Sequence, residues 1–350
     1  MKNNKNLVLE NLDFSKTVLM LLVVLYHSMV FFTGNWFNQE PVYNSKFFEL
    51  LSQVLNSFHI YAFVLVSGYI YAHLKYEKNK YSDLRLFLKN KFKRLIVPYI
   101  FISLFWVIPF YIYFFDTNIK EILTKYFLGI SPSQLWFLLM IFNVFIIAYF
   151  IGDIIYSSYI KGIFYSIVIY VIGLVAGRIF PNIYQIITAS LFFIYFAIGM
   201  LIYKSDLYIL KKIHSCFYIL LFIILWILKS KISLFISNIY IYKIYNLGLD
   251  FLIHIVGAVM AFIVLGRIGY RLKNSNYNYK KFKLYNFLEK YNFIIYLIHQ
   301  QVIYCVISNL NGKISSFALV NANFFISVFI SGIIILILRK INFTKKILNL

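Results

Sequence analysis

Runs of roughly 17 to 25 mostly apolar residues, separated by short polar segments, fall at 14–33, 57–74, 95–115, 135–152, 162–180, 187–203, 214–230, 247–266, 292–310 and 322–338. Each is long enough for a helix to cross the hydrocarbon core of a bilayer at about 1.5 Å per residue. The pattern predicts an all-α polytopic membrane protein of about ten transmembrane helices. No internal repeat, low-complexity tract or soluble appendage interrupts it, so residues 1–350 read as a single integral membrane domain. An even number of crossings returns the C-terminus to the side of the N-terminus. The longest early connection, Gly34 to Asn56, reads as a loop rich in aromatic and amide side chains.

Composition agrees with that pattern. Hydrophobic residues make up 62% of the chain and charged residues 13%, and the mean hydropathy is +0.78, far from a soluble domain. The first run follows sixteen mostly polar residues and ends without a small-residue cleavage site, so a retained helix is expected rather than a signal peptide. The net charge of +22 has no basic domain to occupy, which excludes a nucleic-acid partner. Instead 26 of the 34 Lys and Arg residues lie on one side of the predicted topology, eight of them between 75 and 94 and seven between 267 and 290. By the positive-inside rule this orients the chain N-in and C-in. An abundance of Ile, Lys, Asn, Tyr and Phe suits an AT-rich bacterial genome, and hence the bacterial inner membrane. Cys216 and Cys305 stand in separate runs, so neither a disulfide framework nor a metal cluster is expected.

An ionisable group inside an apolar run is costly enough to count as a candidate site. His27 lies within TVLMLLVVLYHSMVFFT, and Lys16 stands eleven residues before it. Eleven residues are three helical turns, so the two share a face about 16 Å apart along the axis. Asp13 lies close to the same stripe. A neutral imidazole at mid-depth can take a proton from an alcohol; a histidine that merely packs is the alternative. His59 and His299 lie beside polar or aromatic clusters, whereas His73 and His214 fall at helix ends, and His254 follows Asp250 at a spacing that permits a helix-face pair. No histidine pair has zinc-site spacing. Ser67 and Gly68 permit close approach of two helices. Lys91 and Arg94, one turn apart, could face one phosphate together or simply be positive-inside charges. Trp36, Phe37 and Tyr43 suit sugar stacking and equally an interfacial aromatic belt.

The order LDFSKTVLMLLVVLYH, FHIYAFVLVSGY, KNKFKRLIVPYI, QLWFLLMIF and YNFIIYLIH resembles the acyltransferase 3 family of integral membrane O-acyltransferases, over about 11–338. Its sugar-modifying members, the fucose 4-O-acetylase-like proteins among them, look most similar. The family's first-helix signature is an arginine, ten residues and a histidine; Lys16 and His27 occupy those positions, so the resemblance gives His27 the role of base. The Arg-x-x-Arg element before the third helix, tied to acyl-CoA binding, is similar to the stretch from Lys91 to Arg94. Lysine in place of arginine keeps the charge and loses the bidentate fork. Ser67, Gly68, His59, Trp136, and Tyr296 through His299 fit the remaining patterns.

The resemblance implies acyl-CoA, acetyl-CoA by family habit, as a donor substrate, with no permanently bound cofactor and no metal, and a glycan acceptor at a bilayer. His27 would be the catalytic base, with His59 or His299 assisting. Lys16, Lys91 and Arg94 would hold the phosphates, and Asp13, Ser67, Gly68, Trp136 and Tyr296 would support the site. A transporter or flippase for a glycan intermediate is the main alternative, although inverted repeats and broken helices are not evident in the sequence. A scaffolding subunit leaves the stripe of Asp13, Lys16 and His27 unexplained.

Overall fold

The computed structural model describes residues 2–205, 213–231, 238–275 and 278–348, with side chains from Asn11 onward. Among these residues there is no strand. The long helices are α1 (Asn11–Thr33), α2 (Lys46–Glu77), α3 (Leu84–Phe114), α4 (Ser133–Ser157), α5 (Tyr159–Ile179), α6 (Ile183–Lys204), α7 (Ser215–Lys231), α8 (Ile239–Lys273), α9 (Lys283–Leu310) and α10 (Ser316–Leu338), all but α7 long and apolar enough to cross a membrane. Nine have at least 18 residues, while α7 has 17, which is about 25 Å of helix. At one end of α7, Arg267 of α8 donates to the Ser215 hydroxyl and the Ile213 carbonyl, both at 2.8 Å. At its other end Lys229 pairs with Asp250 of α8 at 2.5 Å, so the two helices run antiparallel.

With α7 counted as a crossing, the chain ends on the side where it began. The short helix α11 (Asn342–Leu348) packs on the Val97–Ile102 stretch of α3, and the Tyr279 hydroxyl reaches Asn11 at 3.4 Å. The basic connections therefore gather on one face. On the opposite face the Asn311 side chain bonds Val42 and Glu40, at 3.1 and 2.9 Å. The charge asymmetry makes the basic face the cytoplasmic one.

Several elements extend or depart from the apolar pattern. The expected loop over 34–56 is helical from Lys46 to Asn56, with the Ser45 hydroxyl accepting from the Phe48 N–H. Its apolar residues recur at 48, 51 and 55, a helical spacing that the polar neighbours obscured. A turn at Ser57 and Phe58 then breaks α2 and sets His59 at the start of its second half. In α3, prolines 98 and 109 cannot donate to the carbonyls four residues back. The ladder shifts by one residue just before each, with Val97 N–H reaching the Phe92 carbonyl and Ile108 N–H the Ser103 carbonyl. Such π turns re-phase the helix faces. Gly68 crosses α6 with no room for a side chain, since a Cβ there would lie 2.0 Å from the Phe196 carbonyl oxygen. Gly199 meets the Leu65 carbonyl in the same way.

Candidate active site

Two cavities of about 270 Å³ each lie within the bundle, one toward each face. The inner one, on the basic side, is lined by Lys16, Lys91, Arg94 and Ser67 among aromatic and aliphatic side chains. The outer one is lined by His27, His59, Trp36, Trp136, Gln134 and Gln300. Val23, Ile60 and Tyr296 line both, so they form the wall at which the two spaces meet. Every predicted site residue except Asp13, Gly68 and His299 lines one cavity or the other. Asp13 pairs with Lys16 at 2.6 Å, Gly68 serves the helix crossing, and His299 stands behind His27.

The three histidines are held differently. His299 is fully buried; its Nδ1 lies 2.7 Å from the Tyr296 carbonyl and its Nε2 lies 2.9 Å from His27 Nδ1. A carbonyl only accepts, so His299 Nδ1 carries the proton and, in the neutral ring, Nε2 accepts. The His27 Nδ1–H must then be the donor between the two rings. The lone pair of His27 is left on Nε2, in a ring that lines the cavity. His59, 3% exposed, donates from Nδ1 to the Leu55 carbonyl at 2.6 Å. It shares the cavity without a hydrogen bond to His27.

α9 carries a layer of amides beside this pair. Gln134 Nε2 donates to Gln301 at 2.7 Å and to the Leu297 carbonyl at 3.0 Å, and Gln301 Nε2 returns a bond to Gln134 Oε1 at 3.2 Å. The Tyr296 hydroxyl donates to the Gln134 carbonyl, tying the shared wall to the start of α4. Trp36 stacks against His27 with ring centroids 5.8 Å apart and touches Tyr304 at 4.9 Å. Ser133, on the cavity lining, takes a φ of +48°, a left-handed backbone for a residue with a side chain. Its hydroxyl meets that of Tyr126 at 2.9 Å.

The inner cations differ in how far they are already engaged. Lys91 Nζ sits 3.3 Å from the centre of the Phe145 ring, with Tyr81 and Phe87 at 5.3 and 5.6 Å. Lys16 has Asp13. Arg94, exposed, has neither an ion pair nor a hydrogen bond among the described residues. Lys91 and Arg94, expected to face one phosphate together, both line the inner cavity; an aromatic cage holds the lysine, and the π turn over Phe92–Ile96 begins just after it. Burial raises the Tyr81 phenol above its ordinary value, while nearby Arg94 pulls the other way.

Gln300, Asn56, Tyr26 and Ser133 line the outer cavity and were not singled out from sequence. Gln300 and Gln301 had a signal, two amides directly after His299 inside an apolar run. Asn56 and Ser133 had none. Asp250 and His254, whose spacing allows a helix-face pair, make no direct hydrogen bond or ion pair with each other. Asp250 pairs with Lys229, and the His254 ring stacks on Tyr61 with centroids 4.0 Å apart.

A family model described as an acyltransferase domain matches residues 9–338. No curated protein and no solved structure matches the chain.

Proposed function

The chain belongs to the acyltransferase 3 family, and we propose that this integral membrane acyltransferase moves an acetyl or other short acyl group from acyl-CoA to a hydroxyl of a cell-surface or lipid-linked glycan. The observation that carries the reading is the pair of cavities, basic on the cytoplasmic side and histidine-lined on the other, meeting at Val23, Ile60 and Tyr296. Acyl-CoA is cytoplasmic and anionic, and it would dock its phosphates at Lys16, Lys91 and Arg94. Its pantetheine arm would carry the thioester past Tyr296 to His27. The glycan would enter from the opposite face, where Trp36 and Trp136 offer flat apolar surfaces.

In this mechanism His27 Nε2 removes the proton of the sugar hydroxyl as its oxygen attacks the thioester carbonyl. The tetrahedral intermediate collapses by breaking the C–S bond. The thiolate then takes the proton from His27, giving the sugar ester and free CoA. His299 positions the base: by accepting the His27 Nδ1–H it selects the tautomer whose lone pair serves. His59, its own N–H spent on Leu55, presents a second acceptor at the same cavity.

Purified protein in proteoliposomes, given labelled acetyl-CoA and glycosides, tests the reading. The wild type is expected to place label on sugar. His27→Ala should lose transfer by at least about 10²-fold with its melting temperature unchanged. Normal transfer by that variant would remove His27 from the chemistry.

A further inference from the structure

The wall of the outer cavity contains a buried hydrogen-bond acceptor that the proton-transfer step does not use. Gln300 lines the cavity and is 3% exposed; its Nε2 donates to the Tyr304 hydroxyl at 2.5 Å, and its Oε1 has no partner among the described residues. Leaving a buried carbonyl unpaired is costly, and most such groups in folded proteins are satisfied. The neighbouring amides sharpen the contrast, because Gln134 and Gln301 satisfy each other. Asn323 also has an unpaired Oδ1, but it lines neither cavity.

Position matters as much as the missing partner. Gln300 follows His299 directly, and His299 is bonded to His27. Tyr296, one turn earlier on α9, lines the same cavity. The residue bearing the unspent acceptor and the His27 ring therefore line one small space.

We propose that Gln300 is a specificity-determining residue whose Oε1 accepts a hydrogen bond from an acceptor hydroxyl adjacent to the one that is acylated. The acceptor class is then a vicinal diol, as on a pyranose ring, and not a simple alcohol or an amine. This rests on the reading of the outer cavity as the acceptor site. One hydroxyl gives its proton to His27 and becomes the ester oxygen, while its neighbour donates to Gln300 and stays unmodified. A site built to bond a hydroxyl rejects an analogue that lacks it, because its own buried group is then left unpaired.

The test uses full-length protein in proteoliposomes, labelled acetyl-CoA, and a panel of methyl pyranosides with their monodeoxy analogues. For any parent glycoside that the wild type acylates, removing the hydroxyl next to the acylated carbon should lower kcat/KM on the order of tenfold. Gln300→Met, of similar length without the acceptor, should treat parent and deoxy sugar alike. Gln300→Glu, which keeps an acceptor oxygen, should restore the preference. Full discrimination by Gln300→Met would overturn the proposal, and so would a wild type indifferent to every adjacent deoxy position, a result that needs no variant to fold. Failure of the wild type to label any glycoside would overturn the glycan reading itself.

Discussion

Hydrogen bonds to the Val23 carbonyl, one turn back, and to His299 give His27 its orientation. Left alone, an imidazole on a helix facing a cavity could carry its proton on either nitrogen, and only one of the two tautomers offers the cavity a lone pair. The Tyr296 carbonyl, two bonds away, acts in the same direction by accepting from His299 Nδ1 at 2.7 Å. His299→Phe should therefore lower kcat on the order of 10²-fold while the acetyl-CoA KM holds. His299→Gln, whose amide oxygen can still accept the His27 proton, should recover part of the loss. Steady-state kinetics of the two variants separates this from packing damage, which would not respond to the restored acceptor.

At the scale of elements, irregular backbone positions the site. The turn at Ser57 and Phe58 brings His59 to the cavity, the π turns of α3 set the faces of Lys91 and Arg94, and the short helical stretch over Ile119–Ile122 braces the outer side. Glu121 anchors that brace, bonding Lys125 at 2.9 Å, the Tyr111 hydroxyl at 2.8 Å and the Thr117 hydroxyl at 3.0 Å. These partners, Lys125 first, hold its carboxyl down to about 2, against an ordinary value of 4.5. A depressed folded-state value means stability that is complete above the ordinary value and is lost as the pH falls from there through about 2. Because the group is exposed, salt screens the effect and its size is small. Glu121→Gln should lower the melting temperature slightly at neutral pH. The gap from wild type should close as the pH approaches 3, and thermal unfolding across that range checks it. A gap independent of pH would mean that the ionised carboxylate is not what braces the segment.

Across the whole molecule, charge and chemistry are divided between two faces. If the basic cavity receives the donor, its cations should matter according to how free they are. Arg94 is unengaged, Lys91 is caged by rings, and Lys16 is shared with Asp13. Arg94→Ala is then expected to raise the acetyl-CoA KM about tenfold or more, with a smaller effect from Lys91→Ala and little change in kcat. Repeating the measurement in high salt should narrow the difference between Arg94→Ala and wild type. Equal KM values at low salt would return both residues to ordinary positive-inside charges.

The all-α polytopic architecture, nine of its long apolar helices and the placing of Lys16 and His27 on one helix were legible in the sequence. Hydrocarbon demands long apolar runs, loops on one side collect cations, and helical periodicity is local; each leaves its mark within a few tens of residues. Even so, the run from Lys46 to Asn56 read as a loop, because an amphipathic turn at the membrane edge mixes polar with apolar side chains. What tertiary structure alone decided was which groups meet across the bundle. His27 and His299 are 272 residues apart, and no local spacing could pair them. The pairing of Gln134 with Gln301, the unpartnered oxygen of Gln300 and the cage around Lys91 likewise arise where separate helices close on a shared space. Local rules place a side chain on a face; only packing settles what that face confronts.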